Sequence, residues 1–222
     1  MGTTITLQAK DGFELSAYRA EPQGKARGGV VILQEIFGVN THIKDVCERY
    51  AKQGYLAVAP ALFDRVQPGV DLGYEAADVE QGRKLKADSP LESALLDVEA
   101  AIQAASEAGR VAVIGYCWGG SLAYAAATRL DGLSAAIAYY GGEIAKLSNE
   151  KPKVPTLAHF GETDASIPLS DVDKLRAAQP EVEVHVYGAG HGFSCDMRGA
   201  YHAPSAALAL ERTLAWLSKY VD

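Results

Sequence analysis

The sequence has few cysteines and no long apolar run. Its 222 residues include only Cys47, Cys117 and Cys195, an odd number without a Cys-x-x-Cys pair. This count argues against a disulfide-stapled scaffold and predicts three reduced thiols in a cytoplasmic protein. No segment approaches the roughly 18 apolar residues of a membrane-spanning helix, so no membrane partner is expected. The first residues carry neither a basic nor a long apolar stretch, and no secretory signal is expected.

Positive charge is also scarce. Lysine and arginine number 21 against 28 aspartates and glutamates, which gives a formal net charge of −7. Because no basic stripe could neutralise phosphates, nucleic acid is not an expected partner. An anionic substrate would need a local positive group, since the overall field repels it. The composition is otherwise that of a soluble globular protein, and the length suits a single domain over residues 1–222.

Strand-like and helix-like segments alternate along the chain. Continuously apolar runs such as 29–33 are typical of strands buried on both faces, whereas 41–53 repeats apolar side chains at helical spacing. A hairpin around Asp11-Gly12 followed by strand–helix units predicts an α/β fold with a mostly parallel, doubly wound central sheet. This sheet should have about eight strands, with helices on both faces. The predicted strands are 3–7, 14–19, 29–33, 55–59, 111–115, 134–140, 154–160 and 181–187, and the predicted helices are 41–53, 74–86, 91–108, 119–130, 170–178 and 204–220.

Three of these strands are followed by residues that carry chemistry. Cys117 lies in Gly-Tyr-Cys-Trp-Gly-Gly after strand 111–115, Asp164 follows strand 154–160, and His191 follows strand 181–187. The carboxyl ends of parallel strands meet at one edge of a sheet, so these side chains should converge. Their order is that of nucleophile, acid and histidine in α/β hydrolases, with cysteine replacing the serine of the G-x-S-x-G turn.

These residue types suit nucleophilic catalysis. A free thiol is only a few per cent thiolate at neutral pH, so an imidazole must take its proton and a carboxylate must orient that imidazole. The N-terminus of the following helix would also favour a negative sulfur. The backbone amide of Trp118 could then stabilise an oxyanion, with a second donor from the loop near Ile36.

Other residues compete for these roles. Glu162 could be the acid, and Asp164 could instead be a turn-forming residue. Free cysteine is often inert core filler, so the role of Cys117 depends on its glycines and its two partners. The remaining histidines lie within predicted strands or at predicted helix starts: His42, His159, His185 and His202.

Five motifs along the chain match one known family. They are Gln-Glu-Ile-Phe-Gly-Val-Asn at 34–40, Ala-Pro-Ala-Leu-Phe-Asp-Arg at 59–65, Gly-Tyr-Cys-Trp-Gly-Gly at 115–120, Ala-Tyr-Tyr-Gly-Gly at 138–142 and Gly-Ala-Gly-His-Gly-Phe at 188–193. With these motifs the chain resembles the dienelactone hydrolases, a cysteine-dependent branch of the α/β hydrolases, over nearly its whole length. The resemblance implies the α/β-hydrolase fold and the hydrolysis of enol lactones, such as dienelactone to maleylacetate, in the degradation of chlorinated aromatic compounds. It also implies that no metal or organic cofactor is needed.

The resemblance assigns further roles. Glu35 matches the family glutamate that contacts the cysteine and takes part in forming the thiolate when substrate arrives. Arg65 matches an arginine that binds the substrate carboxylate, and its place after strand 55–59 suits a bidentate grip on an anion. Tyr139 and Tyr140 follow the family's Tyr-Tyr-Gly segment and are expected to line the pocket.

One part of the sequence departs from the family. The family has a serine directly after the catalytic histidine and a second substrate-binding arginine four residues after it. This chain has Gly192 and Cys195 at those positions. Arg198, three residues further on, is the candidate replacement for that arginine.

Together these observations predict a hydrolase of small, anionic lactones or activated esters that forms a thioester on Cys117. A monomer or weak homo-oligomer is expected. Three alternatives stay open: a general carboxylesterase or hydrolase of another lactone, a non-catalytic ligand-binding module with the same fold, and a thiol redox sensor that uses Cys117 and Cys195.

Overall fold

A computed structural model describes residues 2–222. Eight strands form one sheet in the order β1-β2-β4-β3-β5-β6-β7-β8. β1 and β2 form an antiparallel hairpin, β2 also pairs antiparallel with β4, and all pairs from β4 to β8 are parallel. The strands are β1 (Thr3–Gln8), β2 (Glu14–Ala20), β3 (Gly28–Leu33), β4 (Tyr55–Pro60), β5 (Val111–Tyr116), β6 (Ala135–Tyr139), β7 (Thr156–Gly161) and β8 (Glu183–Tyr187).

Seven α-helices connect and cover the described strands. The six predicted helices are all present, and a one-turn helix, α5, had no prediction because four residues are too few to show helical periodicity. None of the helices in residues 2–222 combines the length and apolar character that a membrane crossing requires. The helices are α1 (Thr41–Lys52), α2 (Ala76–Ala87), α3 (Leu91–Ala105), α4 (Trp118–Arg129), α5 (Ile144–Leu147), α6 (Leu169–Ala178) and α7 (Ala203–Tyr220).

Strand β3 shows why the central strands are apolar throughout. Val30 and Ile32 belong to the hydrophobic cluster on one face of the sheet, whereas Val31 and Leu33 belong to the cluster on the other. Successive side chains of a strand point to opposite faces, so a strand covered on both sides has no solvent-facing position. Side chains of α1 and α7 complete the first cluster and those of α3 complete the second, which confirms the predicted helices on both faces.

This topology gathers six loops at one edge of the sheet. The strands β3 to β8 are parallel, so their carboxyl ends share that edge. The residues that follow β3, β5, β6, β7 and β8 at once, or within a few positions, are Glu35, Cys117, Tyr140, Asp164 and His191.

A polar network is buried beneath this edge, around His159 of β7. His159 Nδ1 lies 2.8 Å from the Tyr187 hydroxyl, and Nε2 lies 3.1 Å from Thr213 Oγ1. Thr213 Oγ1 is also 2.6 Å from the hydroxyl of Tyr139. Burial holds the pKa of His159 well below its usual range, so the ring is neutral in the folded protein.

We expect the free energy of unfolding to fall as the pH drops below about 6.5. Below about pH 6.5, the usual pKa of histidine, the unfolded chain binds a proton at His159 that the folded protein does not. For one histidine, each pH unit below that value lowers the free energy of unfolding by about 1.4 kcal/mol. The variant His159→Gln should therefore lose less stability between about pH 7 and pH 5 than the native protein in urea unfolding. The exposed His202, replaced by glutamine, is the matched control; equal slopes for all three proteins would contradict the prediction.

Candidate active site

Cys117 occupies a sharp turn between β5 and α4. Its φ of 55° and ψ of −114° lie in a region that non-glycine residues rarely adopt, and its amide donates to the Tyr139 carbonyl at 3.0 Å. The turn depends on two glycines. A Cβ on Gly115 would lie 1.8 Å from the Gly119 carbonyl oxygen, and one on Gly119 would lie 2.4 Å from that of Leu33. The predicted strand–turn–helix around the cysteine is therefore present.

The structure brings the three predicted triad residues together. Cys117 Sγ lies 3.2 Å from His191 Nε2, and His191 Nδ1 lies 2.7 Å from Asp164 Oδ2. The other oxygen of Asp164 accepts a hydrogen bond from the Ser166 amide at 2.8 Å, which fixes the carboxylate. Asp164 is buried, whereas the competing Glu162 is exposed. The carboxylate next to the histidine is therefore Asp164.

The surroundings of His191 favour its protonated form. Burial opposes a charge on the ring, but hydrogen bonds with Asp164 and Cys117 outweigh it and raise the pKa of His191 to about 10. At neutral pH the ring therefore carries a proton next to Cys117 Sγ. Cys117 is also the N-cap of α4, and the N-terminus of a helix stabilises negative charge.

The other four histidines lie elsewhere. His159 and His185 belong to β7 and β8, His42 is the second residue of α1, and His202 is the N-cap of α7. In the described part of the chain, no hydrogen bond joins any of them to Cys117.

The two backbone amides predicted to stabilise an oxyanion have no acceptor in the described part of the chain. Within residues 2–222, neither the Trp118 amide nor the Ile36 amide donates a hydrogen bond to the protein, although both residues are buried. Trp118 is held in place by stacking on Phe63, with ring centroids 5.0 Å apart. Free, buried amides of this kind can stabilise an oxyanion, the role predicted for these two residues.

Glu35 is a buried carboxylate with one oxygen paired and one not. The residue is 1% exposed, and its Oε1 accepts a hydrogen bond from Arg198 Nη1 at 2.9 Å. Its Oε2 has no partner within residues 2–222. No hydrogen bond in that range joins Glu35 to Cys117, so the predicted contact with the cysteine is absent from this arrangement.

Arg198 reaches Glu35 because residue 192 is glycine. A Cβ on Gly192 would lie 2.6 Å from Arg198 Nη1, and Gly192 has a φ of 79°. The guanidinium lies near the rings of Phe37 and Tyr74, and Nε and Nη2 form no hydrogen bond within residues 2–222. Burial opposes its charge, but Glu35 and Cys117 raise the pKa of Arg198. Gly192, one of the departures from the family pattern, thus leaves the space that Arg198, the candidate replacement arginine, occupies.

Arg65 is held by two carboxylates in this structure. Its Nε and Nη2 donate to the buried carboxylate of Asp97, and Nη1 and Nη2 donate to Asp11. The guanidinium also lies over the ring of Phe13. These bonds use four of its five N–H donors, and one N–H of Nη1 is left for another acceptor. Arg65 thus takes part in a structural ion pair, and its substrate-binding role stays a prediction.

Tyr139, the last residue of β6, and Tyr140, the residue after it, have different surroundings. Tyr140 has a φ of 39°, its hydroxyl lies 2.7 Å from Ser194 Oγ, and its ring centroid is 5.2 Å from that of His191. Tyr139 instead extends into the buried network, where its hydroxyl meets Thr213. Of the two, Tyr140 is the one beside the histidine.

Sequence reasoning missed a second cluster at this edge. Glu35, His42 and Cys195 are all buried, and one ligand atom from each lies within 4.8 Å of those of the other two. Burial lowers the pKa of His42 and raises the pKa of Cys195 to about 11. The proximity of Glu35 and Cys195 requires the loop after β8 to fold back on the loop after β3, and no local pattern indicates that.

The doubly wound sheet and the cysteine in a strand–turn–helix at its carboxyl edge define this protein as an α/β hydrolase. The model of the dienelactone hydrolase family matches residues 15–221. The chain belongs to the dienelactone hydrolase family, and it is an ester or lactone hydrolase.

Individual relatives agree with this assignment. The chain is 38% identical to a candidate carboxymethylenebutenolidase of Synechocystis, with 95% of this chain and 94% of the relative covered. It is 35% identical to the carboxymethylenebutenolidase of Pseudomonas putida, with 96% and 95% covered. The structure of a candidate dienelactone hydrolase from Klebsiella pneumoniae superposes with a TM-score of 0.86 at 31% identity, over 99% of this chain and all of the other.

Proposed function

We propose that this protein hydrolyses a small, anionic lactone or activated ester through a thioester on Cys117. The observation that carries this proposal is the continuous series of contacts from Asp164 to His191 to Cys117 Sγ. The amides of Trp118 and Ile36, which donate no hydrogen bond within residues 2–222, also support it. These are the parts that nucleophilic acyl transfer needs: a nucleophile, an oriented base and donors for an oxyanion.

In the first half of the reaction, the Cys117 thiolate attacks the carbonyl carbon. As the C–S bond forms, the carbonyl π electrons move to oxygen, and the amides of Trp118 and Ile36 donate to that oxyanion. Collapse of the intermediate re-forms the carbonyl and breaks the ester C–O bond. The His191 imidazolium gives its proton to the departing oxygen, which stays tethered to the acyl group when the substrate is a lactone.

In the second half, neutral His191 takes a proton from water. The hydroxide adds to the thioester carbon, the intermediate collapses, and the C–S bond breaks to return the Cys117 thiolate beside an imidazolium. The product acid then releases its proton to solvent. Because a thiolate leaves more readily than an alkoxide, the first intermediate goes forward only when the ester oxygen is a good leaving group. Enol and aryl esters should therefore react faster than alkyl esters.

The surroundings of Arg198 support the proposal that the substrate is anionic. Its guanidinium is close to Glu35 and Cys117, and Nε and Nη2 are free to bind a carboxylate. We infer that a bound carboxylate draws Arg198 from Glu35. Glu35 would then be able to accept the proton of any Cys117 that is still a thiol.

Replacing Arg198 should slow the hydrolysis of anionic substrates far more than that of neutral substrates. In Arg198→Gln, kcat/KM for a carboxylate-bearing enol lactone should fall about 30- to 100-fold, the worth of a lost charge-assisted hydrogen bond. A neutral lactone with the same leaving group should lose far less. Steady-state assays of both substrates provide the measurement. The exposed Arg176, replaced by glutamine, is the matched control, and an equal loss on both substrates would refute the role of Arg198.

A substrate panel tests the reaction class itself. The native enzyme should be assayed with cis- and trans-dienelactone, saturated lactones, aryl esters and alkyl esters of matched acyl groups. Enol lactones and aryl esters should have the highest kcat/KM values. Alkyl esters hydrolysed as fast as enol lactones would contradict the proposed thioester route.

A further inference from the structure

The Glu35–His42–Cys195 cluster joins three elements beside the proposed active site. Glu35 follows β3, His42 lies in the first turn of α1, and Cys195 lies in the loop between β8 and α7. All three residues are almost fully buried, at 1%, 0% and 0% exposed. The proposed reaction uses Glu35 but neither of the other two.

Several polar atoms in this cluster are unpaired. Glu35 Oε2 and both ring nitrogens of His42 have no hydrogen-bond partner among the described residues. Asp196 Oδ1 lies 3.3 Å from His42 Nδ1, close enough for an ion pair but outside hydrogen-bond geometry. Buried polar atoms are nearly always satisfied, so unpaired atoms on two adjacent side chains point to a missing ligand.

We propose that the Glu35–His42–Cys195 cluster binds a zinc ion. Imidazole nitrogen, cysteine sulfur and carboxylate oxygen are the donor types that Zn²⁺ takes in proteins. The three donor atoms lie within 4.8 Å of one another. Tetrahedral zinc would bring them to roughly 3.3–3.8 Å, which requires side-chain shifts of about 1 Å. Three protein ligands leave the fourth position for water.

The charges of the site balance on binding. The Zn–S bond forms as the Cys195 thiol loses its proton to solvent, so the thiolate and the Glu35 carboxylate offset the two charges of the ion. Arg198 holds Glu35 Oε1 and leaves Oε2 for the metal. Asp196 places a carboxylate beside the His42 ring, where such a group orients a metal-bound imidazole.

Zinc at this position has a functional consequence that rests on the proposed role of Glu35. A carboxylate bound to the ion cannot take the Cys117 proton, and Arg198 stays next to it. Zinc would therefore inhibit the hydrolase reversibly without taking part in the reaction.

Cobalt titration tests the site without any assay of activity. Co²⁺ added to the reduced native protein should give one equivalent of a near-ultraviolet thiolate-to-cobalt band, and Zn²⁺ should displace it. The band should be absent in Cys195→Ser, and His42→Gln should weaken Co²⁺ binding by about 10- to 100-fold or more. Circular dichroism would confirm that each variant is folded.

Two controls exclude the other thiols. Cys117→Ser should keep the cobalt band, because the site does not use that sulfur, and Cys47→Ser, a change at another buried cysteine, should keep it too. No band in the native protein, a band that persists in Cys195→Ser, or a band lost in Cys117→Ser would overturn the proposal.

Activity then tests the consequence for Glu35. Zn²⁺ should inhibit cleavage of an aryl ester by the native enzyme. The same degree of inhibition of Cys195→Ser should require at least about ten times more Zn²⁺. Zinc binding without inhibition would overturn the link to Glu35. If the native protein cleaves no ester or lactone, the proposed function fails, whereas the cobalt band still decides the metal site.

Discussion

Replacing Cys117 by alanine should lower kcat by about 10⁴- to 10⁶-fold. In the proposed reaction this sulfur forms the thioester, and no other nucleophile lies 3.2 Å from His191 Nε2 in the part of the chain that the structure describes. The fold should be unaffected, because alanine is smaller and Cys117 is not fully buried. Turnover of an enol lactone and urea unfolding, measured on the same preparation, test both statements.

Cys47 provides the matched control. It is a buried cysteine in α1 and belongs to the hydrophobic core, so Cys47→Ala should keep full turnover and lose some stability. Alkylation provides a second measurement, since Cys117 is partly exposed beside His191 and should be labelled near neutral pH. Burial raises the pKa of Cys47, so its thiol should not be labelled. Turnover retained in Cys117→Ala would remove the basis of the proposed mechanism.

Replacing Arg65 by alanine should lower the free energy of unfolding by about 3–5 kcal/mol, the usual effect of removing one partner from a buried ion pair. Asp97 is 0% exposed and depends on Arg65 for its charge partner. Asp11, at the other end of the guanidinium, lies in the β1–β2 hairpin and is exposed. Arg65 thus ties that hairpin to α3. Urea unfolding at neutral pH measures the loss.

A double variant identifies the cause of that loss. Arg65→Ala combined with Asp97→Asn should be more stable than Arg65→Ala alone, because the uncompensated buried charge is gone. The folded fraction of Arg65→Ala should hydrolyse anionic and neutral lactones at native relative rates. Native stability combined with a selective loss on anionic lactones would contradict the structural role and support the substrate-binding role predicted for Arg65 from the sequence.

The fold and the nucleophile turn could be predicted because their signals are local. The apolar run at 111–115 and the glycines around Cys117 specify a buried strand, a turn and a helix without information from the rest of the chain. The order of Cys117, Asp164 and His191 after three strands was enough to predict that they converge, since parallel strands share an edge.

The arginines could not be assigned in this way. Arg65 follows a strand as a substrate-binding residue would, and its carboxylate partners are 54 and 32 residues away in sequence. Arg198 reaches Glu35 across 163 residues, through space that exists only because position 192 lacks a side chain. Long-range ion pairs are decided by tertiary packing, which motifs and periodicity do not report.

The stacking of Trp118 on Phe63 gives this enzyme a built-in optical signal. The indole is attached to the residue that follows the reactive sulfur, and the chain has one other tryptophan, Trp216, in the last helix. A charge or an acyl group arriving on that sulfur would change the surroundings of the first indole far more than those of the second. Stopped-flow fluorescence of a Trp216→Phe protein could therefore time acylation and deacylation with unlabelled substrates.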